Sequence, residues 1–207
     1  IPVGATVQPG DVRYVDRDNN GVIDDKDRFV LGNAFPRYTY GITYDMSWKN
    51  FDFSLLLQGV GKRSMFLRGE LVEPFHSNYS YTMFTHQLDY WTPVNPDARW
   101  PRLAAPGTAS NTNNYGKSSD LYLFNAAYLR VKNIQLGYTM PKVLSQKIGM
   151  QKLRGYVTAQ NLLTQTNNGL IQPESTEVGT NMGNNETNSR RKYPTPIYVG
   201  FGLDIEF

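Results

Sequence analysis

The chain has 207 residues and no cysteine, carries a net charge of +3, and only 19% of its residues are charged. The missing cysteines exclude a disulfide framework and a thiolate metal site, and the scattered basic residues argue against a nucleic-acid partner. Its 14 tyrosines and 10 phenylalanines are typical of a β-rich protein. No apolar run approaches the roughly 18 residues that a membrane helix needs. We therefore expect either a soluble protein or a membrane protein of the β type.

Residues 16–27 are the first stretch with specific chemistry, because they fit the pattern of a calcium-binding loop. Gly21 stands where such a loop turns sharply, and hard oxygen ligands at this spacing suit a cation of calcium's size. The predicted ligands are the side chains of Asp16, Asp18, Asn20, Asp24 and Asp27 and the backbone carbonyl of Val22. Asp27 replaces the usual Glu, which weakens or reshapes the site. The alternative is an acidic turn held by Asx hydrogen bonds without an ion.

Five later segments alternate between apolar and polar residues and predict β-strands. They cover residues 38–46, 51–59, 127–139, 152–164 and 196–207. The alternation changes phase at Asn133, which predicts a β-bulge. The last strand alternates without a fault from Ile197 to Phe207, so one of its faces is wholly apolar. Such a strand suits a soluble β-sandwich or the lipid-facing wall of a membrane barrel.

The lengths of the connectors favour the barrel. The turn 47–50 and the connector 141–151 are short, and both are expected at the same end of the sheet as Phe207. Residues 62–126 and 165–191 are long and irregular, and they are expected at the opposite end. Outer-membrane barrels separate short turns from long extracellular loops in this way, whereas a sandwich has no reason to do so.

Several strings resemble the C-terminal region of the SusC/RagA-type TonB-linked outer-membrane transporters of Bacteroidetes. Pro-Gly-Asp-Val at residues 9–12 leads into the calcium-type loop, and Tyr-Trp-Thr-Pro stands at residues 90–93. Ala-Gln-Asn-Leu-Leu-Thr occupies residues 159–164. The most specific string is Leu-Arg-Val-Lys-Asn at residues 129–133, and the likeness covers nearly the whole chain.

The resemblance implies a large barrel in the bacterial outer membrane, with an N-terminal plug, that imports glycan or peptide fragments with energy from TonB. It also implies a SusD-like surface lipoprotein as a lid and Phe207 as an assembly signal. Because even a small barrel needs about eight strands, five strands predict a C-terminal piece that adjoins the remaining barrel, the plug and lipid.

The expected fold class is therefore all-β, with about five C-terminal strands of a large transmembrane antiparallel β-barrel and long extracellular loops. Residues 1–36 are expected to form an extracellular loop that carries the calcium-type loop. Residues 37–207 are expected to form the barrel part, with long loops at residues 62–126 and 165–193.

Aromatic residues in the first long loop are candidates for contact with substrate or partner. They are Tyr90, Trp91 and Trp100, and the alternative for each is packing within the loops. His76 and His86 lie in the same loop, but no HExxH motif or nucleophile elbow accompanies them, so we expect no enzyme. The alternative function is a soluble β-sandwich binding module with a structural calcium.

Overall fold

The computed structural model describes residues 7–76, 81–167, 169–170, 173–174 and 195–207. Its described residues divide into two compact units. The loop unit contains residues 7–32 and 65–124, and the sheet unit contains the other described residues. The predicted loop 165–193 lies largely outside the described residues. Within the part of the chain that is described, no helix is long and apolar enough to cross a membrane.

The sheet unit is built on five antiparallel strands. The strands of the chain are β1 (Tyr38–Trp48), β2 (Phe51–Gly61), β3 (Ser64–Phe66), β4 (Leu123–Asn125), β5 (Tyr128–Thr139), β6 (Lys152–Thr166) and β7 (Tyr198–Glu206). The large sheet has the order β1-β2-β5-β6-β7, so β1 and β7 are its edges among the described residues. The short strands β3 and β4 form a separate pair. The all-β antiparallel architecture predicted from alternation is confirmed.

Apolar side chains form rows that cross the sheet from edge to edge. One row is Met46, Phe53, Leu136, Val157 and Phe201, and the next is Tyr44, Leu55, Ile134, Ala159 and Val199. Because residues of paired strands in register share a face, these rows make one face apolar. In the described residues this face is open, with Phe201 84% and Val199 75% exposed. A soluble sandwich would cover such a face with a second sheet.

The opposite face carries small and polar side chains. The row that lies between the two apolar rows consists of Asp45, Ser54, Gln135, Thr158 and Gly200. We call this surface the polar face. The sheet therefore separates an apolar side from a hydrophilic side along its whole width.

A β-bulge at Lys132 lies where the apolar–polar alternation of β5 changes phase, and it keeps apolar and polar side chains on their own faces of the sheet. Asn133 pairs with Leu56, but Val131 pairs with the next residue, Leu57, so Lys132 is the extra residue. Because of this extra residue, apolar side chains of β5 lie on the same face of the sheet before and after the bulge. The predicted bulge is confirmed, one residue before Asn133.

The short connectors share one end of the sheet, as predicted. Lys49 and Asn50 join β1 to β2, and a short helix (Lys142–Lys147) lies between β5 and β6. The register places Trp48 beside Phe51 and Phe51 beside Tyr138 at this end. The rings of Phe51 and Tyr138 lie 4.8 Å apart. Aromatic residues of this kind are typical of the edge of an apolar membrane band.

The loop unit has its own buried core, although its sequence shows no sustained period. It contains a short helix (Ala109–Tyr115) and the 3-10 turns Asp25–Asp27, Gly69–Leu71, Thr85–Leu88 and Asp120–Tyr122. The core residues, each at most 4% exposed, include Leu67, Leu71, Val72, Trp100, Tyr115 and Tyr122. Burial raises the pKa of the Tyr115 and Tyr122 hydroxyls, which donate to the backbone carbonyls of Pro101 and Asn114. Residues predicted as an irregular loop thus form a packed body.

Asp11 ties the start of the loop unit to residues about 100 positions away. Its carboxylate accepts from Arg102 Nε at 2.9 Å and from Asn114 Nδ2 at 2.8 Å. The Val12 amide donates to Asn114 Oδ1 at 2.9 Å. Burial alone would raise the pKa of Asp11, but hydrogen bonds from the Gln8 amide, Asn114 and Arg102 outweigh it and lower that pKa.

An ion pair crosses the polar face above Gly137. Arg154 on β6 donates to Asp52 on β2 through Nε at 3.0 Å and through Nη2 at 2.6 Å. It also donates to Asp204 on β7 at 2.7 Å. The pair spans β5 because Gly137, which has no side chain, leaves the space between them: an added Cβ would lie 2.5 Å from the Asp52 oxygens.

We expect Gly137→Ala to destabilise the intact protein by about 0.5–1 kcal/mol, since the new methyl group forces the side-chain ends of Asp52 and Arg154 apart. The measurement is the temperature at which the folded form, seen in unheated detergent gels, is lost. Gly200→Ala is the matched control on the same face, because its Cβ would meet only Thr158 Cγ2, at 4.0 Å. Equal midpoints for the two variants would contradict the prediction.

We expect Asp11→Ala to lower the protection of residues 8–15 against hydrogen exchange in the intact protein by about 2 kcal/mol. Because the folded pKa of Asp11 is lowered, its stabilisation is complete above the ordinary carboxyl pKa of about 3.9. That stabilisation is lost as the pH falls through the folded value. Asp11→Asn should abolish this acid dependence and the exposed Asp97→Asn should retain it; unchanged acid dependence in Asp11→Asn would refute the assignment.

Candidate functional site

The calcium-type loop brings three of its predicted ligands together. Asp16, Asp18 and Asp27 each offer a carboxylate oxygen, and these oxygens lie within 4.8 Å of one another. The chain returns on itself because Asn19 and Gly21 adopt positive φ angles of 57° and 82°. An all-oxygen donor set of this kind suits a hard divalent cation such as calcium.

Two other predicted ligands are engaged in local hydrogen bonds. Asp24 caps the turn Asp25–Asp27 by accepting from the Lys26 amide at 2.8 Å, and it is not part of the carboxylate group. Asn20 Oδ1 accepts from the Val22 amide at 2.7 Å. The loop therefore combines the Asx hydrogen bonds of an acidic turn with a three-carboxylate cluster.

Asp27 is held by the backbone of its own loop. Its oxygens accept from the Arg17 amide at 2.7 Å and from the Asp24 amide at 2.8 Å. These two backbone hydrogen bonds lower the pKa of the Asp27 carboxyl. The position that usually carries a longer Glu is thus filled by an Asp fixed from both sides.

Trp100 belongs to the core of the loop unit, which is the packing alternative given for it. Its side chain is buried, with only 4% of the residue exposed, and its Nε1 donates to the His86 carbonyl at 2.8 Å. Its ring stacks on Tyr122 at a centroid distance of 6.3 Å. A ring enclosed in this way has no free face for a sugar.

Tyr90 and Trp91 are half-buried, and their role in substrate or partner contact stays a prediction. The Trp91 ring lies directly against Gly10, where an added Cβ would come within 2.3 Å of it. Tyr90 forms a parallel β-bridge with Trp100. These contacts fix the segment within the loop unit, which is the packing alternative.

The two histidines are engaged by neighbours in the loop unit. His86 Nε2 lies 2.7 Å from the Leu71 carbonyl oxygen. His76 Nε2 lies 3.7 Å from Glu73, and Arg68 lies 3.0 Å from the same carboxylate. These contacts are those of packed side chains.

A cluster of charged side chains on the sheet unit was not predicted from the sequence. Glu174 forms an ion pair with Arg130, whose Nη1 lies 2.6 Å from the carboxylate. It also accepts from the Tyr128 hydroxyl at 3.3 Å, and Lys132 Nζ lies 3.6 Å away. The Arg130 side chain is only 1% exposed. The alternation of β5 places Arg130 and Tyr128 on one face, but no local signal marks Glu174 as their partner.

Phe207 follows the end of β7 at Glu206 and is 80% exposed. Its role as an assembly signal stays a prediction.

Comparison with known proteins places the chain among TonB-dependent receptors, although no family model matches it. TonB-dependent receptor P3 of Formosa agariphila is 30% identical over 203 residues, which are 96% of this chain. Receptor P26 of the same organism is 29% identical over 201 residues. SusC of Bacteroides thetaiotaomicron is 30% identical over 161 residues, 74% of this chain and 14% of SusC. The chain spans about a fifth of the length of P26 and P3, at 20% and 19%.

The fold agrees with solved structures of the same kind. A structure of the RagAB peptide transporter superposes with a TM-score of 0.60 at 25% identity, over 86% of this chain and 18% of that one. The RagAB peptide importer in its open-open state gives a TM-score of 0.58 at 24% identity, a likeness of fold. The sequence relatives of the chain and the likeness of its fold to RagAB lead to the same conclusion. The chain belongs to the SusC/RagA-type TonB-dependent receptors, of which it forms one region.

Proposed function

We propose that the chain forms part of the wall and loops of an outer-membrane importer that takes up glycan or peptide fragments with energy from TonB. The observation that carries this proposal is the continuous apolar face of the sheet. An eleven-residue strand such as β1 or β2, at about 3.4 Å per residue and a tilt of about 45°, rises roughly 26 Å. That height matches the apolar band of an outer-membrane barrel, which is about 25 Å tall.

The polar face supports import of hydrophilic molecules, because a barrel that turns its apolar face to lipid turns this one to its lumen. The face carries hydroxyl and amide groups, such as those of Thr158 and Gln135, and the ion pair of Arg154 with Asp52. Such groups exchange hydrogen bonds with sugars or peptides as readily as with water.

A SusD-like lipoprotein is the proposed extracellular partner. Two observations support this proposal: the chain belongs to the SusC/RagA-type receptors, and its fold resembles that of RagAB. The RagAB structures are described as a peptide importer in open-open and closed-closed states. The packed loop unit offers a preformed surface for such a partner, with Tyr90 and Trp91 as its half-buried aromatic residues. Because the sequence relatives are receptors, the proposed role is binding and transport without catalysis.

We expect Val157→Lys to remove most of the folded protein from the outer-membrane fraction and to abolish uptake. A lysine on the lipid side costs about 2–4 kcal/mol at the midplane of the bilayer. The measurements are the amount of folded protein in outer-membrane fractions and the uptake of a panel of fluorescent oligosaccharides and peptides by cells. Deletion of the whole gene sets the zero of uptake, and a protonophore should stop uptake by the wild type.

Thr158→Lys is the matched control, since it adds the same charge at the next residue, on the polar face. It should leave the amount of folded protein unchanged. Equal loss in both variants would contradict the assignment of the faces. Uptake of every panel member in the deletion strain at the wild-type rate would contradict the import function.

We further propose that residues 16–27 bind one structural calcium ion. Asp16, Asp18 and Asp27 would hold it, with Asn20, Asp24 and the Val22 carbonyl as the other candidates from the loop pattern. The ion would neutralise three clustered carboxylates and so lock the loop. What supports the proposal is the grouping of carboxylate oxygens in a loop of the expected sequence.

We expect chelation of calcium to increase protease cleavage within residues 16–27 of the intact protein, because an uncompensated carboxylate cluster repels itself. Asp16→Asn should weaken calcium binding, measured by terbium luminescence and its displacement by calcium, by about tenfold or more. Asp25→Asn is the control, because Asp25 is exposed and pairs with Arg28 outside the cluster. A cleavage pattern that is the same with and without calcium would leave the loop as an acidic turn.

A further inference from the structure

Glu174 occupies a position where several donors of the sheet unit converge. Arg130 Nη1 lies 2.6 Å from one carboxylate oxygen. The Tyr128 hydroxyl lies 3.3 Å and Lys132 Nζ 3.6 Å from the other. Two cations and a hydroxyl therefore surround one carboxylate, which they attract by charge and by one hydrogen bond from the Tyr128 hydroxyl.

The Arg130 guanidinium in this contact is held rigidly by its neighbours. The Arg130 side chain is almost fully buried, its Nε donates to Thr164 Oγ1 at 2.8 Å, and its guanidinium lies 5.6 Å from the centre of the Tyr128 ring. Thr164 and Tyr128 belong to the strands β6 and β5, so the guanidinium is fixed by the sheet itself. A guanidinium held in one orientation loses little entropy when it binds a carboxylate.

Lys132 owes its place to the bulge of β5. As the extra residue of the bulge it has no pairing partner on β2, and its side chain, 35% exposed, reaches Glu174 from the side. The Lys132 side chain is therefore partly accessible to a carboxylate that approaches from the solvent.

Glu174, the carboxylate in this contact, does not belong to a strand. Glu174 follows β6, which ends at Thr166, and its side chain is 26% exposed. The neighbouring Pro173 carbonyl accepts from Arg63 Nη1 at 2.8 Å. The carboxylate in the site is thus a group of the same chain, and Glu174 itself is not part of a strand.

We propose that Arg130, Lys132 and the Tyr128 hydroxyl form a carboxylate-binding subsite, which Glu174 fills until a carboxylate group of the imported molecule replaces it. The inference rests on the proposed import function, in which the polar face lines the path of the substrate. It assigns the subsite to fragments that carry carboxylates, either uronate sugars or acidic peptides. The exchange keeps Arg130 paired throughout, so no buried charge is left without a partner.

The competing explanation is that Glu174 only neutralises Arg130 as a part of the fold. The two explanations predict different results when Glu174 loses its charge. In a subsite, Glu174→Gln removes an internal competitor and strengthens the binding of external carboxylates. In a purely structural pair, the same change weakens the fold and strengthens nothing.

The test is calorimetric titration of the intact, detergent-solubilised protein with four probes. Tetragalacturonate and tetraglutamate carry carboxylates, and a neutral galactose tetramer and tetraglutamine are their uncharged counterparts. We expect Glu174→Gln to bind at least one carboxylate probe about tenfold more tightly than the wild type, with the neutral probes unchanged. The probe that gains affinity tells a glycan source of the carboxylate from a peptide source.

Two further variants keep the test decisive. Asp45→Asn removes one negative charge from the same face at a distance from the cluster and should change no affinity. Adding Lys132→Gln to Glu174→Gln should cancel the gain. An equal gain for Asp45→Asn, or no gain in a Glu174→Gln protein that runs as the folded form in unheated gels, would overturn the subsite. Uptake of neutral fragments would still support the import function in that event.

Discussion

Register between strands is the constraint on which the structure of the sheet depends. Because side chains alternate with a period of two, a slip of one residue in any pair would exchange the apolar and polar faces of every strand beyond it. The rows through Val157 and Thr158 show that four successive pairings keep the same phase. The bulge at Lys132 preserves that phase where the sequence of β5 breaks it. The apolar face, the polar face and the carboxylate cluster all depend on this shared register.

The sheet could be predicted from the sequence because its determinants are local. Alternation marks each strand within about ten residues, and the phase change at Asn133 marks the bulge. A short turn is expected from two alternating runs separated by a short polar segment. The sequence predicts it at residues 47–50, and strand pairing continues through Trp48, so the turn is formed by Lys49 and Asn50. The resemblance to SusC/RagA proteins rests on strings within the same segments. Local patterns were therefore sufficient for both the large sheet and the family.

The loop unit could not be predicted in this way because its determinants are distant in sequence. Asp11 meets Arg102 and Asn114 across about 90 to 100 residues, and no periodicity connects them. The sequence offers Trp100 both as a contact residue of the first long loop and as a packing residue, and the fold encloses it beside Tyr122. Composition likewise gave no sign that Glu174 would meet Arg130. Side-chain hydrogen bonds of this kind depend on the folded path of the chain.

The two edge strands have a consequence for how such a sheet enters a membrane. Along β1 and β7, backbone groups on the outer side have no strand partner among the described residues. In lipid each such group costs several kcal/mol, because no water replaces the missing hydrogen bond. This free-energy penalty applies to all unpaired backbone groups along both edge strands, and it disappears only when both strands are paired with a neighbouring strand. Insertion of this sheet is therefore a cooperative event, in which strand pairing and burial in lipid have to occur together.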